Sequence, residues 1–336
     1  MPSILESLSD SFGPGVVDDI GKALSADPSA VTKGLGVVGP LLMSGMAKQA
    51  AAPGGAESLM KLLPEGTGGL LGSLGGLLGG LTGGAAGGQA SPASALLGPG
   101  VNAIGGALSR SLGFNVTPLL GMAAPALLGL VSQAVQSKKL DAGGLASMLG
   151  QESSAFASNP ANKETLALVS SAVASGDKAT ATIASYGDSW KHVAAGPAAA
   201  LFMVSTSDLS GPVGSVKEVQ AAGKVLLDAA GKADPASVLS AAFGGGLTTD
   251  MASQVKALAP TKDKLIDIIK AGAAAVAAKS PAELQAYKST ILQVAQASAE
   301  ASKEGGFLGI GGTLVSKDEQ AALDTIKAAL GGTPQL

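Results

Sequence analysis

The chain has 336 residues with 22 Lys plus Arg against 25 Asp plus Glu, a formal charge of −3, and it holds 49 glycines, one histidine and no cysteine. A single arginine, Arg110, and a negative balance leave no phosphate-neutralising surface and no bidentate base reader, so nucleic acid is excluded as an expected partner. Without Cys there is no disulfide, thiolate metal site, cysteine nucleophile or iron–sulfur cluster, and the lone His192 cannot build a histidine metal site.

Residues Met1 to Asp10 carry neither a basic segment nor an apolar stretch, so no secretory signal is expected and the chain reads as cytoplasmic. Self-similarity comes next. Ile20-Gly-Lys-Ala-Leu-Ser25 recurs as Ile104-Gly-Gly-Ala-Leu-Ser109, Pro40-Leu-Leu-Met43 corresponds to Pro125-Ala-Leu-Leu128, and Gly55-Ala-Glu-Ser-Leu-Met60 to Gly144-Leu-Ala-Ser-Met-Leu149. Two copies of one helical unit are expected, over residues 1–65 and 99–150. Each reads as a short helix (15–25 and 100–111), a long one (28–51 and 116–138) and a short closing one (55–63 and 142–150).

Asp27-Pro28 opens the first long helix with a capping carboxylate and a proline at the first helical position. Val31, Leu35, Val38, Leu42 and Met46 repeat at helical spacing and mark one buried face. Both long helices carry an internal proline, Pro40 and Pro125, and four residues before each stands a glycine, Gly36 and Gly121. A kink that shapes each helix to its neighbours is expected there. Ser111 to Ser137 holds no charge and is long enough to cross a bilayer, which takes about 20 apolar residues. Asn115, Thr117, Pro118, Ser132, Gln133 and Gln136 interrupt it and leave its apolar residues on one side, which points to a packed helix.

Between the copies, residues 66–98 are rich in glycine and uncharged, the composition of a flexible linker. Within them Leu70, Leu71, Leu74, Leu77, Leu78 and Leu81 fall at helical spacing, with Gly72, Gly75, Gly76, Gly79 and Gly80 between. Five glycines cost about 5 kcal/mol of helix propensity, so such a helix needs an apolar surface. That surface is a second copy, the protein's own helices or a bilayer; otherwise the segment is a Leu-rich linker.

Beyond residue 150 Lys alternates with Asp and Glu, and a helical bundle is expected over 160–331. Three capping boxes mark helix starts: Ser215-Val-Lys-Glu218, Ser280-Pro-Ala-Glu283 and Ser316-Lys-Asp-Glu319. Asp234-Pro235 is a further start signal. Residues 262–279 and 284–302 read as amphipathic helices, and Gly244-Gly-Gly246 as a helix stop. No stretch alternates long enough to propose a strand, so the fold is expected to be all-α.

Ser189-Trp190-Lys191-His192 is the one place where a hydroxyl, an imidazole and an ammonium stand together. It reads as a helix start capped by Asp188 and anchored by Trp190 rather than as an activated nucleophile. Gly305 to Gly312 lacks the order of a phosphate-binding loop and reads as a tight, partly apolar turn. No cofactor, small-molecule substrate or catalytic group is expected.

The amino-terminal half resembles the bacterial family named domain of unknown function 937, the YidB-like proteins. The likeness is carried by Ala23-Leu24-Ser25, Val37-Val-Gly-Pro-Leu-Leu-Met43 and Gly54-Gly-Ala-Glu-Ser-Leu59, and by Gly113-Phe-Asn-Val116, Ala123-Ala-Pro-Ala-Leu-Leu-Gly-Leu130 and Gly143-Gly-Leu-Ala-Ser-Met-Leu149. It implies a helical bacterial protein without assigned chemistry. The carboxy-terminal half is similar to TerB-like tellurite-resistance domains, helical bundles in which an acidic residue and a glycine precede a capped helix bearing Glu. Asp208, Gly211 and Ser215 to Glu218 follow that outline, as do Glu304-Gly305 and Ser316 to Glu319, although Lys303-Glu304 stands where the family has Asp and residues 306–312 are inserted. The resemblance implies a divalent cation held by Asp208, Glu218, Glu304 or Glu319, whereas capping alone also accounts for Glu218 and Glu319.

The expected function is non-enzymatic association, with itself or with a protein partner, through the Leu70 to Leu81 segment. The alternatives are a peripheral membrane protein and a stress protein binding a divalent metal.

Overall fold

A computed structural model describes residues 3–24, 26–64, 91–207, 212–247, 251, 255, 261–301 and 315–332. Among them the protein is all-α, with no strand. It divides into an amino-terminal unit, Met1–Ala174, and a carboxy-terminal unit, Ser175–Leu336. The expected start of the second region at residue 160 therefore falls within the first unit.

The amino-terminal unit runs α1 (Ile4–Ser11), α2 (Pro14–Leu24), α3 (Pro28–Ala50), α4 (Gly55–Leu62), α5 (Pro92–Leu97), α6 (Val101–Leu112), α7 (Thr117–Lys138) and α8 (Ala142–Ser158). A 3-10 turn at Pro160–Asn162 leads into α9 (Lys163–Tyr186), inside which the division falls. The unit is centred on α3, which packs against α7, α8, α2, α4 and α5. Asp27 caps α3 by accepting from Ser29 N at 2.8 Å, with Pro28 at the first helical position, as the sequence predicts. Val31, Val38, Leu42 and Met46 are fully buried in the core with Leu127, Val131 and Leu145, while Leu35 is only partly covered.

Helices α3 and α7 are each long and apolar enough to cross a membrane, yet 56% and 61% of their apolar windows are buried inside the fold. Their apolar side chains already have partners, which is what a core helix requires. The order of a short helix, a long proline-bearing one and a third recurs in α2–α4 and α6–α8, but the third differs. α4 ends at Leu62, whereas α8 continues through Gly150 to Ser158. The expected end at residue 150 is overrun by helix through Ser158, because Gly150 sits exposed on α8 at a conformation that does not break it.

The carboxy-terminal unit continues after a 3-10 turn, Gly187–Ser189, with α10 (Trp190–Ser205), α11 (Pro212–Lys232), α12 (Val238–Phe243), α13 (Lys262–Lys279), a second 3-10 turn, Pro281–Glu283, then α14 (Leu284–Ala301) and α15 (Lys317–Ala329). Its centre is α10, packed against α13, α14 and α15, with α11 laid along α14. Nearly all of α10 from Val193 onward is buried, and its run of alanines lets the neighbouring backbones come close.

Of the three expected capping boxes, Ser316–Glu319 is formed in both directions: Glu319 N donates to Ser316 Oγ at 3.2 Å and Ser316 N to Glu319 Oε2 at 2.8 Å. The other two are corrected. Helix α11 starts at Pro212, so Ser215 lies inside it, and the Glu218 carboxylate instead accepts from Ser205 Oγ of α10. Ser280 closes α13 and makes no side-chain cap, and the Glu283 carboxylate accepts from Val238 N of α12 at 2.8 Å. Asp234 holds the turn before α12 through Ala236 N at 2.7 Å, while Ser237 caps the helix.

Candidate functional site

A groove of about 550 Å³ opens in the amino-terminal unit between α1, α3, α8 and the turn that follows α8. Its walls begin at the start of α1. Ser3 and Glu6 form a reciprocal cap, with Glu6 N donating to Ser3 Oγ at 3.1 Å and Ser3 N to Glu6 Oε2 at 2.7 Å. From the far side Glu152 of α8 accepts from Ile4 N at 3.3 Å. Two carboxylates thus converge on the first turn of α1, where unpaired N–H groups and the helix dipole favour negative charge.

Leu5, Leu8, Phe12, Leu35 and Phe156 supply the apolar lining. Asn162 fixes one end by donating from Nδ2 to Phe156 O at 2.9 Å, and Asn159 caps the following turn through Ala161 N at 3.0 Å. The proline-bearing stretch of α3 faces the same space: Gly36 is exposed, Pro40 is buried, and both line the groove. Pro40 has no N–H to give the Gly36 carbonyl, its i−4 acceptor. A Cβ on Gly36 would meet nothing within 4 Å, so the space beside its Cα is open. The groove therefore offers acceptors over an apolar floor, an arrangement that binds donors.

Of the residues expected to hold a metal, Glu218 is fully buried and receives the Ser205 hydroxyl, and Glu319 is buried in its capping box. Asp208 and Glu304 lie outside the described residues, as do Leu70, Leu71, Leu74, Leu77, Leu78 and Leu81. Among the described residues no group of three or more His, Asp or Glu side chains is placed to hold an ion.

Ser189 lies in the 3-10 turn and makes no side-chain cap of α10, and Asp188 sits in that same turn rather than at the helix cap. Trp190 packs on the core of the carboxy-terminal unit, its ring edge-on to Tyr186 at 5.6 Å. Partial burial, with the Lys191 charge adding to it, pushes the His192 imidazole below its usual range. The unfolded chain then binds this proton at higher pH than the folded one. The stability linked to His192 is thus complete above about pH 6.5 and declines as pH falls below that value. NMR titration of this single imidazole should give a midpoint below the model-peptide value, and His192→Gln should remove that part of the pH dependence of unfolding.

The sequence held part of the groove's signal: Ser3-Ile-Leu-Glu6 has the capping-box spacing, and Gly36 with Pro40 marks the proline-bearing stretch of α3. Glu152 could not be found in this way, because it reaches Ile4 across 148 residues of sequence.

Residues 6–134 match the family described as bacterial protein of unknown function (DUF937). The amino-terminal region is similar to this family over that stretch. The matched stretch contains most of α1, the whole of α3 with Gly36 and Pro40, and α7 as far as Ala134. Glu152 and Phe156, the α8 wall of the groove, lie beyond it, and so does the carboxy-terminal unit. No curated protein and no solved structure matches the chain.

Proposed function

We propose that the protein is a bacterial, cytoplasmic association module without chemistry of its own, which docks a protein segment in the groove beside Gly36 and Pro40 of α3. The observation that supports this reading is the groove itself: an exposed glycine whose carbonyl receives no N–H from Pro40, set beside apolar side chains and two carboxylates. A segment that brings an N–H or an ammonium together with an apolar side chain satisfies all three. The Leu70 to Leu81 segment, placed in the same unit by sequence, remains a second element proposed for association.

The test uses Gly36→Leu. The Cβ of the new side chain meets no neighbour within 4 Å, and the change replaces an exposed helical glycine by a better helix former, so folding should be retained. Circular dichroism and melting temperature should match or exceed wild type, while self-association and recovery of crosslinked protein partners should fall by about tenfold or more. Unchanged oligomer size together with unchanged partner recovery would overturn the reading. A bilayer-surface role has less support, because the membrane-length helices α3 and α7 have most of their apolar windows inside the fold.

A further inference from the structure

Among the described residues, Glu6 and Glu152 line the groove and no lysine or arginine does, so it carries negative charge. The amino-terminal end of α1 contributes a partial positive charge of about half a unit, which does not offset two carboxylates. Lys33, on the same helix as Gly36, is directed to Glu164 at 3.5 Å. What the groove lacks is a cation on an apolar stem.

The chain presents such a group in one exposed corner. Lys138 and Lys139 are the only two adjacent cations in the sequence. Both are exposed where α7 ends, Lys139 with φ at 50°. Neither meets a carboxylate at ion-pair distance among the described residues, whereas Lys22, Lys33 and Lys264 each do. A chain cannot fill its own groove in this way. α8 starts at Ala142 directly after the corner, and Glu152 lies ten residues along it, about 15 Å away at the helical rise and beyond the reach of a lysine side chain.

We propose that the groove of one copy receives the Lys138–Lys139 corner of a second copy. This rests on the association reading above and names its partner. The ammonium groups pair with Glu152 and Glu6 at the mouth, while the butyl stems cover Leu35 and Phe156. Each copy owns one groove and one corner, so reciprocal docking closes a dimer and head-to-tail docking extends into larger species. Exposed charge pairs are weak singly and are screened by salt, so the contact is salt-sensitive.

The experiment is sedimentation velocity of the full chain across a hundredfold range of concentration, at about 50 mM and about 500 mM salt. Wild type should associate at low salt and weaken about tenfold or more at high salt. Lys138→Glu combined with Lys139→Asn, the asparagine suited to the left-handed position, should sediment as a 32.3 kDa monomer, and so should Glu152→Lys. An equimolar mixture of the two variants should restore a complex of one to one, because each supplies the patch the other lost. Wild-type association that survives in both variants would overturn this contact and leave the association reading standing. A wild type that stays monomeric throughout would overturn it as well, with partner recovery on Gly36→Leu then deciding the broader reading. Should Glu152→Lys lose helicity, the lysine variant decides alone, since it lies outside the groove.

Discussion

Replacing Gly272 by alanine should cost the carboxy-terminal unit about 3 kcal/mol, because the added methyl group overpacks a site with no slack. Its Cβ would lie 2.5 Å from the Tyr287 hydroxyl oxygen and 2.8 Å from the carbonyl oxygen of His192. The second neighbour is backbone and cannot rotate away. The first is held in place from three sides. Tyr287 is fully buried, its ring stacks on Phe243 with centroids 5.9 Å apart, and its hydroxyl donates to the Val193 carbonyl at 2.9 Å. That carbonyl is the one Pro197, inside α10, leaves without an i+4 donor.

Moving Tyr287 to admit the methyl would therefore leave a buried acceptor unpaired. Denaturant unfolding followed by Trp190 fluorescence reads this unit, since Trp190 is the only tryptophan and packs on its core. Tyr287→Phe alone should cost about 1–3 kcal/mol through the stranded Val193 carbonyl. In the double variant the hydroxyl clash is gone but the His192 oxygen remains, so the two losses should add to more than the pair shows. A Gly272→Ala protein within about 0.5 kcal/mol of wild type would refute this account.

A larger loss, about 4 kcal/mol, should follow from Gly55→Ala in the amino-terminal unit. Here a Cβ would run into the carbonyl oxygen of Gln49, backbone against backbone. The turn from α3 to α4 is compact: Gly55 N donates to Ala52 O at 2.9 Å, and Gly54 stands at a φ of 70°. Relief requires α4 to shift as a body, withdrawing Leu59 and Ala56 from the core they share with α3 and α8. Far-UV circular dichroism during denaturation, together with hydrogen exchange of the α4 amides, should show early loss of that helix. Retained protection in α4 at wild-type stability would disprove the assignment.

Both sites bear on what a sequence reveals. The all-helical class and most helix limits in the amino-terminal unit were legible, because each is written in neighbouring residues: Asp27-Pro28 starts α3, and the Val31 to Met46 spacing shows its buried face. Capping boxes were legible only as patterns. Ser316–Glu319 and Ser215–Glu218 look alike in sequence, yet the second glutamate spends its carboxylate on Ser205 of another helix. Glu283 likewise serves the start of α12, 45 residues away in the chain. Such partners depend on which helices pack together, and spacing within one helix does not contain that. The groove divides in the same way, with its Gly36 and Pro40 pair and its Ser3–Glu6 cap visible locally and its Glu152 wall supplied by packing. The close approaches at Gly55 and Gly272 left no local trace, since the first lies in a Gly-Gly pair and the second in an alanine-rich helix like many others.

Among the described residues three helices carry an internal proline, and they dispose of the orphaned acceptor differently. In α3 and α7 the residue four back is an exposed glycine, so water can take over that role as soon as the helix forms. In α10 the acceptor is Val193, fully buried, and its donor comes from a residue 94 positions later. A bond that an ordinary helix would settle within one turn has there become a closure over nearly a third of the chain. High sequence separation slows such closures, since the intervening loop loses its freedom before the contact repays it. The Val193 carbonyl consequently gains its hydrogen-bond donor only when α14 packs against α10.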